Sequence, residues 1–310
     1  FDLDLLFVTG KGGVGKTTVA AALAEVAARR GQRVLVCEMD AKGALATAFE
    51  VTELAFETTE VAPNLHAMSM STEDSLREYL RLYVKIPLIG RLGVLASTFD
   101  FVADAAPGVK EILAVGKLCW EVKDRNYDLV VVDAEASGHV VSQIGAPRVI
   151  ADLVQVGLVR EQTQWMLDIL EDPDRTGVVV TTTPEEMPVT ESIELLERLA
   201  ADTGTTVAAI VANRVLPAMF DRREQAVALE IEDAVPVLVD AVGPGAAAVV
   251  DAASIIEARR AIGVEHLDRL RAAIGDSAKI PIITIPELFS RAHGRRVVTL
   301  VADGLDEELG

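Results

Sequence analysis

The sequence predicts an α/β protein built on a doubly wound, mostly parallel sheet with a small inserted helical subdomain. Three observations carry that prediction. A glycine-rich loop, Gly10-Lys11-Gly12-Gly13-Val14-Gly15-Lys16-Thr17-Thr18, stands between a short apolar run and an Ala/Leu-rich stretch. Short apolar runs recur along the chain with polar residues at their ends, the pattern of strands covered on both faces. Between the second obvious run and the next lie roughly ninety residues, whereas one βα crossover uses about 30, so most of that interval reads as inserted.

Leu3 to Val8 reads as the first strand, and Thr17 to Arg30 as a helix that Gly31 can close. The loop between them holds the full G-x-x-x-x-G-K-[ST] pattern of a P-loop. Bare backbone N–H groups line such a loop around phosphates, Lys16 reaches the β- and γ-phosphates, and the Thr17 hydroxyl ligates Mg²⁺. Strand, loop and helix lie in the order that puts the phosphates at a helix N-terminus. Gly10, Lys11, Gly12, Gly13, Val14, Gly15, Lys16, Thr17 and Thr18 are therefore the expected contacts to ATP or ADP, with Mg²⁺ as cofactor. The competing reading is a glycine-rich turn without a ligand.

Lys11, five positions before Lys16, adds something a plain P-loop lacks. The nonapeptide resembles the deviant Walker A motif of the signature-lysine ATPases, which include the arsenite-pump ATPase, the guided-entry ATPase for tail-anchored membrane proteins, Min-type and partitioning ATPases and nitrogenase iron protein. The resemblance implies a face-to-face dimer in which Lys11 reaches the partner's nucleotide and, with Lys16, serves catalysis. A solvated loop lysine is the bland alternative.

Arg33 to Met39 is the second strand and ends at Asp40. The stretch Asp40-Ala41-Lys42-Gly43-Ala44-Leu45-Ala46-Thr47-Ala48-Phe49 resembles the switch I pattern D-P-A-H-S-L-S-D-A-F of the arsenite and guided-entry ATPases. Asp40, Leu45, Ala48 and Phe49 match; Ala41, Gly43 and Ala44 depart from it. The resemblance gives Asp40 the attacking water to position, and an N-cap is the other reading. Leu65 to Met70 is expected as a short strand, with helical spacing over Thr72 to Val84 and Gly108 to Lys123. The apolar stretch Ile86 to Leu95 falls where guided-entry ATPases form a client groove; ordinary helix core or a dimer contact is the alternative.

Tyr127 to Asp133 is the next strand, and Leu129-Val130-Val131-Val132-Asp133 has the Walker B shape, in which Asp133 holds the Mg²⁺ shell through water. The following Ala134-Glu135-Ala136-Ser137-Gly138-His139 resembles switch II, D-T-A-P-T-G-H, with Glu135 foreign to it. A carboxylate beside a triphosphate would be repelled, so Glu135 either points away or marks a modified site. Gly177 to Thr182, Thr206 to Ala212 and Ile280 to Ile285 are further strands, with helices over Val189 to Ala201, Gly243 to Ile274 and Val297 to Leu309. Asn213 and Pro286 resemble the family's adenine contacts, at the sheet edge where open α/β sheets bind ligands.

The 310 residues carry 29 Lys and Arg against 48 Asp and Glu, a net charge of −19, which argues against nucleic acid as a partner. The acidic last residues, Ala302 to Leu309, are unlike a basic membrane-binding helix, and no apolar run approaches the roughly 20 residues that span a bilayer, so no stable membrane anchor is expected. Phe1 is not a methionine, so further residues are expected before it; a nucleotide site argues for the cytoplasm. Cys37 and Cys119, about eighty residues apart and without a Cys-x-x-Cys pair, give no sequence case for zinc or for a thiolate site for arsenite.

The sequence thus reads as one P-loop domain over 1–310, with an inserted helical subdomain at 53–125 and a smaller contribution from 140–172. Its expected activity is Mg²⁺-dependent ATP hydrolysis in a homodimer, or in a heterodimer with a paralogous ATPase whose switches are intact. A hydrophobic or membrane-protein client is expected at most. A regulatory subunit with weak hydrolysis and a Min- or partitioning-type positioning ATPase are the alternatives.

Overall fold

The computed structural model describes residues 2–39, 42–79, 109–153, 156–220, 224, 231, 233–275, 280–290 and 292–310; Asp40 and the stretch Ile86 to Leu95 lie outside them. The first half runs β1 (Leu5–Gly10), α1 (Lys16–Arg29), β2 (Val34–Glu38), α2 (Ala44–Phe49), β3 (Thr59–Ala62), β4 (Leu65–Ser69), α3 (Thr72–Tyr79) and α4 (Val109–Lys123). The second half runs β5 (Leu129–Ala136), α5 (Ser137–Leu153), α6 (Leu158–Leu170), β6 (Thr176–Thr182), α7 (Glu186–Asp202), β7 (Thr206–Val215), α8 (Val235–Val242), α9 (Gly245–Ile274), β8 (Ile282–Pro286) and α10 (Arg295–Leu309).

Eight strands form one sheet in the order β3-β4-β2-β5-β1-β6-β7-β8. β3 runs antiparallel to β4 and every other pairing is parallel. This is the doubly wound α/β architecture that the sequence predicts. Every residue of β1, β2 and β6 is buried, which is why these strands read as unbroken apolar runs. Alternate residues serve opposite faces. Leu6, Val8, Val34, Val36, Leu129 and Val131 pack under α1 and α10. Leu5, Phe7, Leu35, Cys37, Val130 and Val132 pack under α4, α5 and α7.

Two elements differ from the sequence reading. Thr59–Ala62 is a strand that the pattern did not mark, because its first two residues are an exposed threonine and glutamate on the sheet's edge. With β4 it extends the main sheet, so residues 59–69 belong to the sheet rather than to inserted helical material. The described part of α4 likewise covers the sheet, burying Val115, Leu118 and Cys119 against it. α8 was also not foreseen; its apolar run carries Pro236 in the first turn, where a missing N–H costs nothing. The acidic helix α10 has a structural use: its Asp303 stands 2.6 Å from Arg29, the last residue of α1, and its Asp306 stands 2.6 Å from Arg30, which follows it. No helix among the described residues is long and apolar enough to cross a membrane.

Candidate nucleotide site

The glycine loop leaves the C-terminal end of β1, in the middle of the sheet, and opens α1. Gly13 and Gly15 have φ of 89° and 94°, values that a β-carbon disfavours. A β-carbon built at Gly12 or Gly13 would meet nothing within 4 Å, so the mouth of the loop is open. Lys16 Nζ lies 3.2 Å from the Lys11 carbonyl oxygen, so its ammonium is folded over the loop. An open, glycine-lined cradle at a helix N-terminus, with a lysine across it, fits the phosphates of a nucleotide.

The metal side was assembled from residues more than a hundred positions apart. Thr17 Oγ1 donates to Asp133 Oδ2 at 2.6 Å, which brings the hydroxyl of the loop and the carboxylate ending the apolar part of β5 into contact. Asp133 is almost fully buried and its strand lies directly beside β1. A hydroxyl and a carboxylate are the hard oxygen donors that Mg²⁺ takes, with water and phosphate filling the other positions. These residues therefore fit the ion.

Glu135, the foreign residue of the second switch segment, does not face the loop. Its Oε1 accepts from Gln143 Nε2 at 2.9 Å and its Oε2 lies 3.8 Å from His139 Nδ1, both partners being on α5. A register shift in β5 between the partners of Val8 and Gly10 gives the backbone room for that turn. His139 itself is largely exposed.

Lys11 is paired within its own chain. Its ammonium meets Glu191 on α7, and the two side chains are 28% and 31% exposed. Asn213 is buried, with Nδ2 donating to the Val14 carbonyl at 2.8 Å and Oδ1 accepting from the Arg214 N–H at 3.0 Å. It lies so close to Gly15 that a β-carbon there would come within 2.5 Å of Nδ2. Here Asn213 braces the loop, and the adenine contact expected of it would draw on the same amide. Pro286 sits opposite Val215 in β7, and the Glu287 N–H bonds to the Val215 carbonyl at 2.9 Å, so Asn213 and Pro286 lie on one sheet edge.

Sequence reasoning missed Glu38 and Glu191. Glu38 looked like part of an apolar strand, yet a carboxylate within such a run is itself the signal, since an unpaired charge is costly to bury. Nothing local marks Glu191, because its partner is 180 positions away. Both cysteines are fully buried, and burial pushes both thiols up, Cys119 to about 12. Both should therefore stay unreacted with a thiol reagent in the native chain at pH 8 and react in denaturant. Antimonite should not stimulate turnover; a several-fold rise that disappears in Cys37→Ser or Cys119→Ser would contradict this.

The comparisons with known proteins agree with this geometry. The family model of the anion-transporting ATPases matches residues 3–162 and 152–232. The chain is 30% identical over 239 residues to ATPase BagA of Mycobacterium tuberculosis, covering 74% of this chain and 70% of that one. It is 26% identical over 254 residues to an ATPase ASNA1 homolog of Entamoeba dispar, covering 69% and 77%. It is also 26% identical over 240 residues to the arsenical pump-driving ATPase of Escherichia coli, covering 71% of this chain but 40% of the longer protein. A loop, a lysine and a Thr17–Asp133 pair of this kind within that length of matched sequence have one reading: the chain is an ATPase and belongs to the anion-transporting ATPase family.

Proposed function

We propose that this ATPase works with Mg²⁺ as a cytoplasmic nucleotide-sandwich dimer, in which ATP binding closes two P-loop faces on each other and hydrolysis releases them. The observation that supports Mg²⁺-dependent ATP binding most is the Thr17–Asp133 contact beside the glycine loop. The loop amides and Lys16 hold the β- and γ-phosphates, Lys16 exchanging the Lys11 carbonyl for phosphate oxygen. Thr17 and Asp133 would hold Mg²⁺, which would offset the charge on the β- and γ-oxygens. Asp40 orients the attacking water and accepts its proton as the bond from the γ-phosphorus to the bridging oxygen breaks, leaving ADP and phosphate. Water exclusion comes from dimer closure, and Asn213 and Pro286 form the adenine side.

In this account Lys11 exchanges its own chain's Glu191 for the partner's nucleotide. A half-exposed pair of this kind is worth at most about 1 kcal/mol and a homodimer gives up two of them, so Glu191→Gln should lower the protein concentration needed for ATP-driven dimerisation up to about thirtyfold. Light scattering after size exclusion, with Mg²⁺ and ATP, checks this; an unchanged midpoint would contradict the exchange. The same measurement on Asp40→Asn tests the dimer itself, which should form from one kind of chain and persist because hydrolysis is blocked.

A second reading is favoured by the departures at Ala41, Gly43 and Ala44: a subunit tuned for regulation that pairs with a paralogue. On that reading the chain alone remains a monomer with weak turnover. A hydrophobic client is carried only by the apolar stretch Ile86 to Leu95 and is proposed no further than that.

A further inference from the structure

We propose that Glu38 is a positioning residue of the nucleotide site: one carboxylate oxygen accepts hydrogen bonds from the water around the bound Mg²⁺, while the other ties the first residue of α2 to the end of β2. The inference rests on reading Thr17 and Asp133 as the metal side.

Glu38 is the last residue of β2 and is 2% exposed. In the parallel ladder it stands opposite Asp133 on the neighbouring strand. Residues opposite one another in a parallel pair project to the same face, and adjacent strands are about 4.8 Å apart. The face is identified by the residues two and four positions earlier, Val36 and Val34 on β2 and Val131 and Leu129 on β5, which all pack under α1. The Glu38 and Asp133 carboxylates therefore stand side by side, on the α1 side of the sheet, at the edge where α1 begins. Asp133 is already bonded to the Thr17 hydroxyl.

The two oxygens of Glu38 are unequal. Oε1 accepts the Ala44 N–H at 2.8 Å, the first residue of α2. Oε2 is buried and has no hydrogen-bond partner. A buried carboxylate oxygen without a donor is destabilising. The missing donor is one that a ligand can bring. Phosphate oxygens carry no proton to give, and a pair of carboxylates repels them. Water polarised by a divalent cation supplies both the donor and the opposite charge, and the hydroxyl and carboxylate that would hold such a cation are next to Glu38. Because Oε1 holds the Ala44 N–H, Glu38 also joins the end of β2 to the start of α2.

The test separates nucleotide from metal. ATP affinity is measured by calorimetry in EDTA and in Mg²⁺, for the parent chain and for Glu38→Gln, whose side-chain oxygen can still accept from Ala44. Glu38→Gln should match the parent in EDTA and lose about tenfold of the gain in affinity that Mg²⁺ confers, the range found for residues that orient metal ligands. Glu38→Asp, with the charge kept, should recover part of that gain. A full Mg²⁺ gain in Glu38→Gln would overturn the proposal. Lys16→Ala distinguishes its failure from failure of the site: if that variant binds ATP normally in both buffers, the P-loop reading is at fault instead. A readout on the unaltered chain guards against a variant that does not fold. Hydrogen exchange in the peptide spanning 38–44 should slow more with Mg²⁺ and ATP than with ATP in EDTA, and equal exchange would contradict the role.

Discussion

Lys16→Ala is expected to abolish ATP binding while leaving the fold intact. The side chain is half-buried and lies across the loop toward the Lys11 carbonyl, outside both apolar cores, so its loss opens no cavity beneath the sheet. What it removes is the one loop cation placed to meet β- and γ-phosphate charge. A hydrogen bond of that charged kind is worth about 1.5–3 kcal/mol or more, roughly 10- to 150-fold in affinity for a single contact, and a lysine shared between two phosphates makes more than one. Calorimetry with ATP reads this directly. Unchanged affinity would remove the site assignment.

Gly10→Ala is expected to destabilise the whole domain. Gly10 ends β1 with φ at 147°, and it pairs in register with Thr181 of β6. A β-carbon there would stand 2.0 Å from the Thr181 carbonyl oxygen, a backbone atom that can retreat only if β1 and β6 part. These two strands lie at the centre of the sheet, so the backbone strain and the lost ladder together should cost on the order of 3–5 kcal/mol. Gly12→Ala is the contrast: its β-carbon meets nothing and its φ is not positive, so stability should hold while ATP affinity falls as the methyl group enters the phosphate space. Urea unfolding of both variants decides it, and a Gly10→Ala midpoint equal to the parent's would show that the close approach is not tight.

The parallel sheet was legible because its strands are covered on both faces: Leu5 to Val8, Val34 to Cys37 and Leu129 to Val132 are apolar without a break. The loop and Asp133 were legible because glycine, lysine, threonine and a strand-ending aspartate are demanded by the chemistry itself. β3 was hidden by the same rule in reverse, since an exposed edge strand needs only Val61 and Ala62 to be apolar. The pairings that refine the site were hidden for a different reason. Lys11 with Glu191, Asn213 with Val14 and Glu38 beside Asp133 are set by how strands and helices far apart in the chain are brought together, which no window of sequence contains. Local pattern tells which residues end strands; only the ladder tells which of those ends meet.

The claim that Lys11 serves the partner's nucleotide is tested most directly by mixing two variants that are each inactive alone. Lys11→Ala chains keep Asp40 but provide no lysine to a partner, and Asp40→Asn chains provide the lysine but cannot activate water. In a mixed dimer the Lys11→Ala chain receives the lysine it needs, so phosphate release should return on mixing. For equal amounts and random pairing, half the dimers are mixed and one of their two sites works, giving about a quarter of the parent rate. A mixture that light scattering shows to be dimeric with ATP, yet releases phosphate no faster than its two components, would contradict the account.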